Sequence, residues 1–390
     1  MLQHSYLFRH NRRKFLKDLS LAFGATTLGM PLVSLASCQS SGSETQQEQQ
    51  TNQASGNSKK LGIALVGLGS YATNQLAPAL QETEKCYLAG IVTGTPSKAE
   101  EWKRKYNIPD KNVYNYETYD QIADNPDIDI IYIVLPNGMH AEYTIRGARA
   151  KKHIICEKPM ATTVADCKHM IEACNQNNVK LSIGYRLHFE PHNLRVMELG
   201  QQQVYGAVQQ IEAADSFVFS GSSDKWRLDK ELAGGGPLMD LGIYCVQGAI
   251  YTMGETPTAV TAKFGEVTRP EYFDDVEQSI SWQMEFPNGA VANCRTSYNK
   301  NEGLLYGKAE NGWWRLEPAY SYSGIKGKTN EGLMNLPQVN QQARQMDDFA
   351  RCVLEGDETK VPGEMGLRDV RILEAIYEAA RTGESVAIQT

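Results

Sequence analysis

Residues 61–72 read Leu61-Gly62-Ile63-Ala64-Leu65-Val66-Gly67-Leu68-Gly69-Ser70-Tyr71-Ala72, an apolar run that leads directly into a G-x-G-x-x-A pattern. The apolar run predicts a buried strand, and a helical stretch follows at 74–80. Gly67 allows a tight turn, Gly69 lets the backbone approach a pyrophosphate, and Ala72 lets the helix pack on the strand. The helix then directs free N–H groups toward the phosphates. These residues, with Ser70 and Tyr71 inside the pattern, predict a dinucleotide-binding turn.

Strands and helices alternate after this turn. Alternation of this kind favours a parallel sheet with helices on both faces. We therefore expect an α/β domain of the Rossmann type over residues 61–183. Its further strands are predicted at 87–93, 128–135, 153–156 and 180–184, and its helices at 97–105, 140–150 and 164–175.

The pattern changes after residue 184. Residues 280–286 alternate apolar and polar side chains, and Pro287-Asn288-Gly289 predicts a hairpin turn into residues 290–297. We expect an α+β second domain over 184–390, built on a largely antiparallel, open β-sheet. Its other strands are predicted at 208–213, 260–264 and 314–316, and two helices at 341–354 and 367–381 close the chain.

The N-terminal residues 1–38 have the layout of an export signal. The segment Asn11-Arg12-Arg13-Lys14-Phe15-Leu16-Lys17 is similar to a twin-arginine signal, and the alternative is a basic first helix of the domain. Leu35-Ala36-Ser37-Cys38 resembles a bacterial lipobox, in which Cys38 becomes the lipidated N-terminus; the alternative is cleavage nearby that leaves Cys38 free. Residues 39–60 are rich in Ser, Gln and Asn, which predicts a disordered tether.

The composition is that of an ordinary globular protein. Of 390 residues, 41% are hydrophobic and 22% are charged, which excludes a disordered chain and a small disulfide scaffold. Lys and Arg number 39 against 46 Asp and Glu, a balance that gives no support to nucleic-acid binding. The eight cysteines form no C-x-x-C pair, so we expect no metal site. We interpret the seven cysteines after Cys38 as small core residues without disulfides.

The end of the second strand bears on the choice of cofactor. An acidic residue there would bind the ribose 2′-hydroxyl of NAD. The chain instead has Thr93 at this point and Lys98 shortly after it, with no acid between them. A hydroxyl and a cation suit a 2′-phosphate, so NADP is favoured and NAD is the alternative. Lys98 taken alone also fits a solvated residue in the first turn of a helix.

Two short segments carry chemistry. Glu157-Lys158-Pro159 follows the strand at 153–156, at the sheet edge where an α/β fold binds ligands. Gly234-Gly235-Gly236 precedes Asp240 and Tyr244, which share one face if the chain is helical from Met239. Each piece also has an ordinary structural interpretation: Lys158 as part of a loop ion pair, the glycines as a turn, and Tyr244 as a core aromatic residue.

Together these motifs resemble the family of glucose–fructose oxidoreductase and inositol dehydrogenase, from about Leu61 to the C-terminus. Most members have His where this chain has Tyr244, and Tyr is similar to the glucose–fructose oxidoreductase branch. That branch is exported by twin-arginine signals with its nucleotide bound. Its Pro-rich arm, which crosses a neighbouring subunit, is replaced here by the tether, which leaves nucleotide retention and tetramer formation open.

The resemblance implies a role for each matching residue. Tyr244 would be the acid/base for the sugar C1 hydroxyl, Lys158 would stabilise its phenolate, and Asp240 would orient the substrate. Thr93, Lys98 and Tyr116 would surround the 2′-phosphate of NADP. Residues expected along the ribose and nicotinamide are Leu135, Pro136, Asn137, His140, Glu157, Lys158, Arg186, Trp226 and Arg227.

These observations lead to one favoured function and two alternatives. The favoured function is an exported NADP-dependent sugar oxidoreductase that oxidises an aldose such as glucose at C1 and reduces a second sugar such as fructose. The alternatives are an NAD-dependent glycosidase of the same superfamily and a non-enzymatic, lipid-anchored sugar-binding protein. Expected partners are sugars, the twin-arginine export machinery, a bacterial membrane reached from its periplasmic side through a lipid, and further copies of the chain in a homo-oligomer.

Overall fold

The computed structural model describes residues 59–222 and 225–389, so the predicted signal, Cys38 and most of the tether lie outside the described residues. The first sheet is parallel, in the order β3-β2-β1-β4-β5-β6. This is the strand order of a doubly wound dinucleotide-binding sheet, and it confirms the predicted fold class. Its strands are β1 Leu61–Val66, β2 Cys86–Val92, β3 Val113–Tyr114, β4 Ile130–Ile133, β5 His153–Cys156 and β6 Leu181–Ile183.

Helices connect these strands. The three predicted between residues 97 and 175 are present, with ends that move by one residue. The first helix begins in π geometry, in which i→i+5 hydrogen bonds widen the backbone. α4 starts where the Thr163 hydroxyl accepts a hydrogen bond from the Asp166 N–H at 3.1 Å. The helices are the π-helical turn Ala72–Leu76 continued by α1 Ala77–Ala79, then α2 Pro96–Tyr106, α3 His140–Arg149 and α4 Val164–Gln176.

The second sheet is largely antiparallel, as predicted, and β7 and β10 are its parallel pair within the described residues. Its order is β14-β13-β12-β11-β7-β10-β9-β8-β15. The predicted hairpin is confirmed as the β9–β10 pair. The strands are β7 Val208–Ser216, β8 Ala259–Phe264, β9 Ser279–Glu285, β10 Val291–Ser297, β11 Glu302–Ala309, β12 Trp313–Leu316, β13 Gly327–Thr329, β14 Gly332–Met334 and β15 Val386–Ala387.

The C-terminal helices join the two sheets. The helix predicted at 341–354 was expected with the second domain, yet its buried residues Ala343, Met346 and Phe349 lie in one apolar core with Ile63 and Leu65 of β1. Among the described residues, 60–93 and 98–389 accordingly form one compact unit. The remaining helices are α5 Pro191–Gln201, α6 Lys230–Ala233, the π-helical turn Leu238–Gly242 continued by α7 Ile243–Met253, α8 Gln341–Glu355 and α9 Gly363–Thr382.

The seven described cysteines are buried and free, in agreement with their interpretation as core residues. Burial raises the pKa of the Cys86 and Cys174 thiols to about 12. In the described part of the chain, no helix is long and apolar enough to cross a membrane. No group of His, Cys, Asp and Glu side chains among those same residues could hold a metal ion.

Candidate active site

The turn after β1 has the geometry that its glycines predict. Gly67 has φ +93°, and a Cβ there would collide with the Val134 carbonyl. A Cβ at Gly69 would meet no protein atom within 4 Å, so space outside this backbone is open. Ala72 is fully buried against the strand. The turn therefore has a fixed backbone and an open outer side, which fits a bound pyrophosphate.

Ser70 and Tyr71 lie at the start of the helix that follows the turn. The Ser70 hydroxyl accepts a hydrogen bond from Asn74 at 3.1 Å, within the same helical turn. The Tyr71 ring packs against Tyr322, with 5.5 Å between ring centroids. Burial raises the pKa of Tyr71, which keeps its phenol neutral.

The residues predicted around a 2′-phosphate differ in their accessibility. The Lys98 ammonium donates to the Leu68 carbonyl at 3.0 Å, which places a cation at the glycine turn. Burial lowers the pKa of Lys98. Thr93 is buried at the end of β2, where its N–H donates to Tyr114. The Tyr116 hydroxyl is enclosed by protein and has no hydrogen-bond partner among the described residues. Lys98 thus reaches the turn, while the Tyr116 ring packs edge-on against Tyr143 at 5.7 Å.

The loops after β4 and β5 are fixed by buried polar side chains. Asn137 donates to the Ala233 carbonyl at 2.8 Å, which joins the β4 loop to the residue before the glycine-rich segment. The two ring nitrogens of His140 face the carbonyls of Pro159 at 2.9 Å and Leu135 at 2.8 Å. His140 was expected along the nucleotide, but its nitrogens are occupied in holding these two loops together. Burial lowers the pKa of His140, so the ring is neutral and donates to one carbonyl at a time.

Glu157 is a buried carboxyl behind the loop that carries Lys158. It accepts a hydrogen bond from the Tyr132 hydroxyl at 2.7 Å, and Gln345 of α8 donates to the same hydroxyl at 3.1 Å. Burial raises the pKa of Glu157. A Cβ at Gly184 would collide with this carboxyl, so β6 must pass it without a side chain.

Lys158 lies between the two other residues predicted to be catalytic. Its ammonium donates to the Asp240 carbonyl oxygen at 2.5 Å, lies 3.6 Å from Asp240 Oδ1, and is 4.6 Å from the centroid of the Tyr244 ring. Burial lowers the pKa of Lys158, but the nearby Tyr244 and Asp240 outweigh it and hold the pKa above its ordinary value. Lys158 is therefore a cation at neutral pH.

Asp240 is the anion of the cluster. Its Oδ2 accepts hydrogen bonds from Arg227 Nε at 2.9 Å and from the Tyr298 hydroxyl at 2.9 Å. Burial opposes ionisation, but the charges of Arg227 and Lys158 hold the pKa of Asp240 well below its usual range. The Trp226 ring supports the Arg227 guanidinium at 4.5 Å.

Tyr244 lies between two cations. The Arg186 guanidinium is 5.0 Å from the ring centroid, near Lys158, and Tyr320 stacks on the ring at 5.9 Å. Arg186 is fixed by hydrogen bonds to the Tyr320 carbonyl at 2.5 Å and the Gln341 side chain at 2.5 Å.

The glycine-rich segment is held from behind by Glu277. This half-buried carboxyl group accepts hydrogen bonds from the N–H groups of Gly236 at 2.8 Å and Leu238 at 3.0 Å, and from the Tyr377 hydroxyl at 2.9 Å. A Cβ at Gly235 would collide with the Tyr377 hydroxyl. The segment then enters the π-helical turn at 238–242, which carries Asp240, and α7 continues this turn and carries Tyr244.

Several contributors to this cluster were not identified from the sequence. Tyr298 is one of 19 tyrosines, and nothing in its neighbourhood marks it as the donor to Asp240. The same holds for Tyr322, whose ring lies 4.6 Å from Arg186. Both depend on long-range packing.

The chain matches two known family descriptions. Residues 61–185 match "Oxidoreductase family, NAD-binding Rossmann fold", and residues 193–320 match "GFO/IDH/MocA C-terminal domain". The D-xylose 1-dehydrogenase [NADP(+)] of Haloarcula marismortui is 29% identical over 84% of this chain and 92% of its own length. The trans-1,2-dihydrobenzene-1,2-diol dehydrogenase of Danio rerio is 30% identical over 76% of this chain and 89% of its own length.

A solved structure extends these similarities. The aldose–aldose oxidoreductase of Caulobacter crescentus, crystallised with glycerol, is 42% identical, with a TM-score of 0.82 over 84% of this chain and 100% of that one. The family matches, the strand order of the first sheet and the similarity to this solved structure all indicate the same two-domain fold. The chain is a member of the GFO/IDH/MocA family of oxidoreductases, with an NAD-binding Rossmann fold followed by the family's C-terminal domain.

Proposed function

We propose that this chain is an NADP-dependent oxidoreductase that oxidises an aldose at C1 to its lactone. The observation that carries the proposal is the position of the Lys158 ammonium, 3.6 Å from Asp240 Oδ1 and 4.6 Å from the Tyr244 ring centroid. A cation, a phenol and a carboxylate in contact can remove a proton from an alcohol as its hydride leaves.

The nucleotide would bind at the carboxyl edge of the first sheet. Its pyrophosphate would lie outside Gly69, and Lys98 would neutralise a 2′-phosphate. The absence of an acid after β2 favours NADP, and NADP is also in the printed name of the Haloarcula relative. When bound, the nicotinamide supplies the hydride acceptor.

The residues of the cluster would divide the remaining work. Tyr244 would accept the proton of the C1 hydroxyl, and Lys158 and Arg186 would stabilise the phenolate by their positive charge. Asp240, kept ionised by Arg227, would orient a substrate hydroxyl and balance the charge of Lys158. Fixed charges at this point cost no rearrangement during the reaction, because each is already held by the fold.

The proposal also includes the second half of a cycle, in which another sugar takes the hydride back. A relative whose printed name is aldose–aldose oxidoreductase, at 42% identity, favours a second aldose as acceptor, while the sequence alone suggested a ketose such as fructose. A chain exported through residues 1–38 and anchored at Cys38 would meet little free nucleotide. Reoxidation of the bound nucleotide by a second sugar would allow repeated turnover there. We keep export to the periplasmic side, the lipid anchor and a homo-oligomer as parts of this proposal.

The test follows one bound nucleotide through both half-reactions. The full-length chain is expressed with its signal, purified from the membrane fraction, and supplied with no nucleotide. Reduced-nicotinamide fluorescence is recorded while glucose or xylose is added, and then while fructose or a second aldose is added. We expect a rise with the first sugar and a fall with the acceptor.

Two results would contradict the proposed reaction, and a third measurement tests the lipid anchor. Protein that releases NADP on denaturation but shows no signal with any aldose would remove the sugar reaction. Protein that binds no dinucleotide even when NADP or NAD is supplied would remove the oxidoreductase assignment altogether. The lipid anchor is tested by fractionation of the parent and of the Cys38→Ala variant. A parent in the membrane fraction and a variant in the soluble fraction would support the anchor. The same distribution for both proteins would exclude it.

A further inference from the structure

Asp215 is a carboxylate that the proposed mechanism leaves without a role. It lies on β7 opposite Thr296 of β10 and Gly303 of β11. The Thr296 hydroxyl donates to the Asp215 carbonyl at 2.7 Å and to the Pro237 carbonyl at 3.4 Å. Pro237 directly precedes the π-helical turn, so the Thr296 side chain lies on the face of the sheet that is covered by this turn. Residues opposite each other share a face of a sheet, so the Asp215 side chain points toward the turn that carries Asp240.

The charged groups around Asp215 are those of the candidate active site. Lys158 and Arg186 attract a negative charge at this position and Asp240 repels it. Cys245 of α7 and Tyr320 also lie within electrostatic range, and burial raises the pKa of each, so both are neutral near pH 7. Asp215 therefore lies on the face of β7 that is turned toward the Asp240 turn, within electrostatic range of Lys158.

The carboxylate has unused hydrogen-bonding capacity. No side chain among the described residues donates to it, and the residue is only partly buried. The backbone N–H of Ser216 donates one hydrogen bond to it. A carboxylate can accept several hydrogen bonds, so it has capacity for further donors. A small molecule that carries several hydroxyl donors would satisfy it.

We propose that Asp215 is a substrate-binding residue that accepts a hydrogen bond from an aldose hydroxyl beside the reacting carbon. This inference rests on the proposed function, because it assumes a sugar between β7 and Lys158. Tyr244 and Lys158 act on C1, and Asp215 holds the sugar from the opposite side. The substrate would thus be fixed by groups from both sheets.

The binding should depend on pH near neutrality. Burial raises the pKa of Asp215 to about 7, against the attraction of Lys158 and Arg186. A carboxylate accepts a hydrogen bond more strongly than a carboxylic acid does. Sugar affinity should therefore rise as the pH increases through this value, and fall as the pH decreases below it.

The experiment compares Asp215→Asn with Glu212→Gln in the full-length, nucleotide-bound protein. Glu212 is the matched control: it lies on the same strand, opposite Asn293 and Tyr306 on the other face of the sheet. Dissociation constants are measured by calorimetry from pH 5.5 to 8.5 for D-glucose, D-xylose and 1,5-anhydro-D-glucitol, which has no C1 hydroxyl to oxidise. KM and kcat are measured for the two aldoses.

We expect Asp215→Asn to weaken binding of the sugars and of the anhydro compound by roughly tenfold or more, and to abolish the pH dependence near 7. Glu212→Gln should change neither. Binding of the anhydro compound with this pattern supports Asp215 even if the wild type transfers no hydride, which would sink only the proposed function. Normal turnover together with unchanged affinities and pH profile in Asp215→Asn overturns the role of Asp215 alone. Absence of any sugar binding by the wild type overturns both.

Discussion

The turn after β1 takes its glycine pattern from six consecutive residues, Gly67 to Ala72, whereas the cluster around Lys158 takes its parts from distant segments. Gly67 has a positive φ, which is a restriction of its own backbone, and the Val134 carbonyl after β4 adds a steric restriction from the neighbouring strand. Asp240, in contrast, is held by Arg227 before it in the chain and by Tyr298 from the end of β10. Local steric rules can be read along a sequence, but convergent charges depend on the completed fold.

The largest effect should come from the phenol at the centre of the cluster. Tyr244→Phe removes the group that accepts the proton and keeps the ring that packs on Tyr320. We expect kcat to fall by about 10³-fold while bound nucleotide is retained, because positioned acid–base groups contribute on this scale. The measurement is turnover with a saturating aldose, together with the nucleotide released on denaturation.

Tyr251→Phe is the control for this change. It lies on the same helix, is also buried, and its hydroxyl donates to Asn193 at 2.5 Å, away from Lys158. Its loss should lower stability and leave kcat within a few-fold of the parent. Equal losses of activity in the two variants would mean that Tyr244 serves packing alone.

Gly67→Ala tests the local side of the comparison. The new Cβ would meet the Val134 carbonyl and force a positive φ on a residue that disfavours it. We expect the free energy of unfolding to fall by about 2–4 kcal/mol, with poor nucleotide retention as a consequence. Urea denaturation of the nucleotide-free protein measures this cost.

Gly289→Ala separates the two causes. Gly289 has a similar φ of +84°, but its Cβ would meet no atom within 4 Å. Its cost should be about 1–2 kcal/mol, from backbone strain alone. If Gly67→Ala costs no more than this, the close approach to Val134 is not what requires glycine at the turn.

Gly69→Ala should affect ligand binding without affecting the fold. The added methyl group would meet no protein atom, and it would extend into the space assigned to the pyrophosphate. We expect unchanged stability and a loss of NADP affinity of about tenfold to a hundredfold, which corresponds to roughly 1.4–2.8 kcal/mol. Calorimetric titration of nucleotide-free protein measures it, and wild-type affinity would place the phosphates elsewhere.

The sequence was informative where neighbouring residues determine the structure. It located the glycine turn, the strand end at 156 and the β9–β10 hairpin, since periodicity and turn residues are local signals. It missed β11, whose sequence Glu302-Gly303-Leu304-Leu305-Tyr306-Gly307-Lys308-Ala309 contains two glycines and no clear alternation.

The sequence was less informative where contacts form between distant segments. The sequence predicted a helix at 341–354, but it could not show that the buried residues of this helix pack on β1. The resemblance placed His140 and Arg186 along the ribose and nicotinamide. Their hydrogen-bond partners could not be predicted, because these carbonyl groups come close to the two side chains only in the folded chain. Lys158, Asp240 and Tyr244 were predicted together through family likeness, since no local rule relates residues 82 positions apart.

The smallest effect should come from Tyr298→Phe, which weakens the cluster without removing a charge. Tyr298 is fully buried, and its ring packs against Phe217 and Phe273, so the phenylalanine keeps this packing. Asp240 retains Arg227 and Lys158, and therefore stays ionised at neutral pH. Loss of one hydrogen bond of about 1 kcal/mol should lower kcat/KM about fivefold.

The pH dependence of kcat/KM shows in which direction Tyr298→Phe shifts the pKa of Asp240. The Tyr298 hydroxyl helps to lower the pKa of Asp240, so its removal raises that pKa, and the acidic limb of kcat/KM should move to higher pH. Tyr272→Phe, in the same aromatic cluster but without a bond to Asp240, should leave the limb in place. An unmoved limb in Tyr298→Phe would mean that Arg227 and Lys158 alone set the ionisation of Asp240. The long-range part of the site would then depend on fewer segments than its hydrogen bonds suggest.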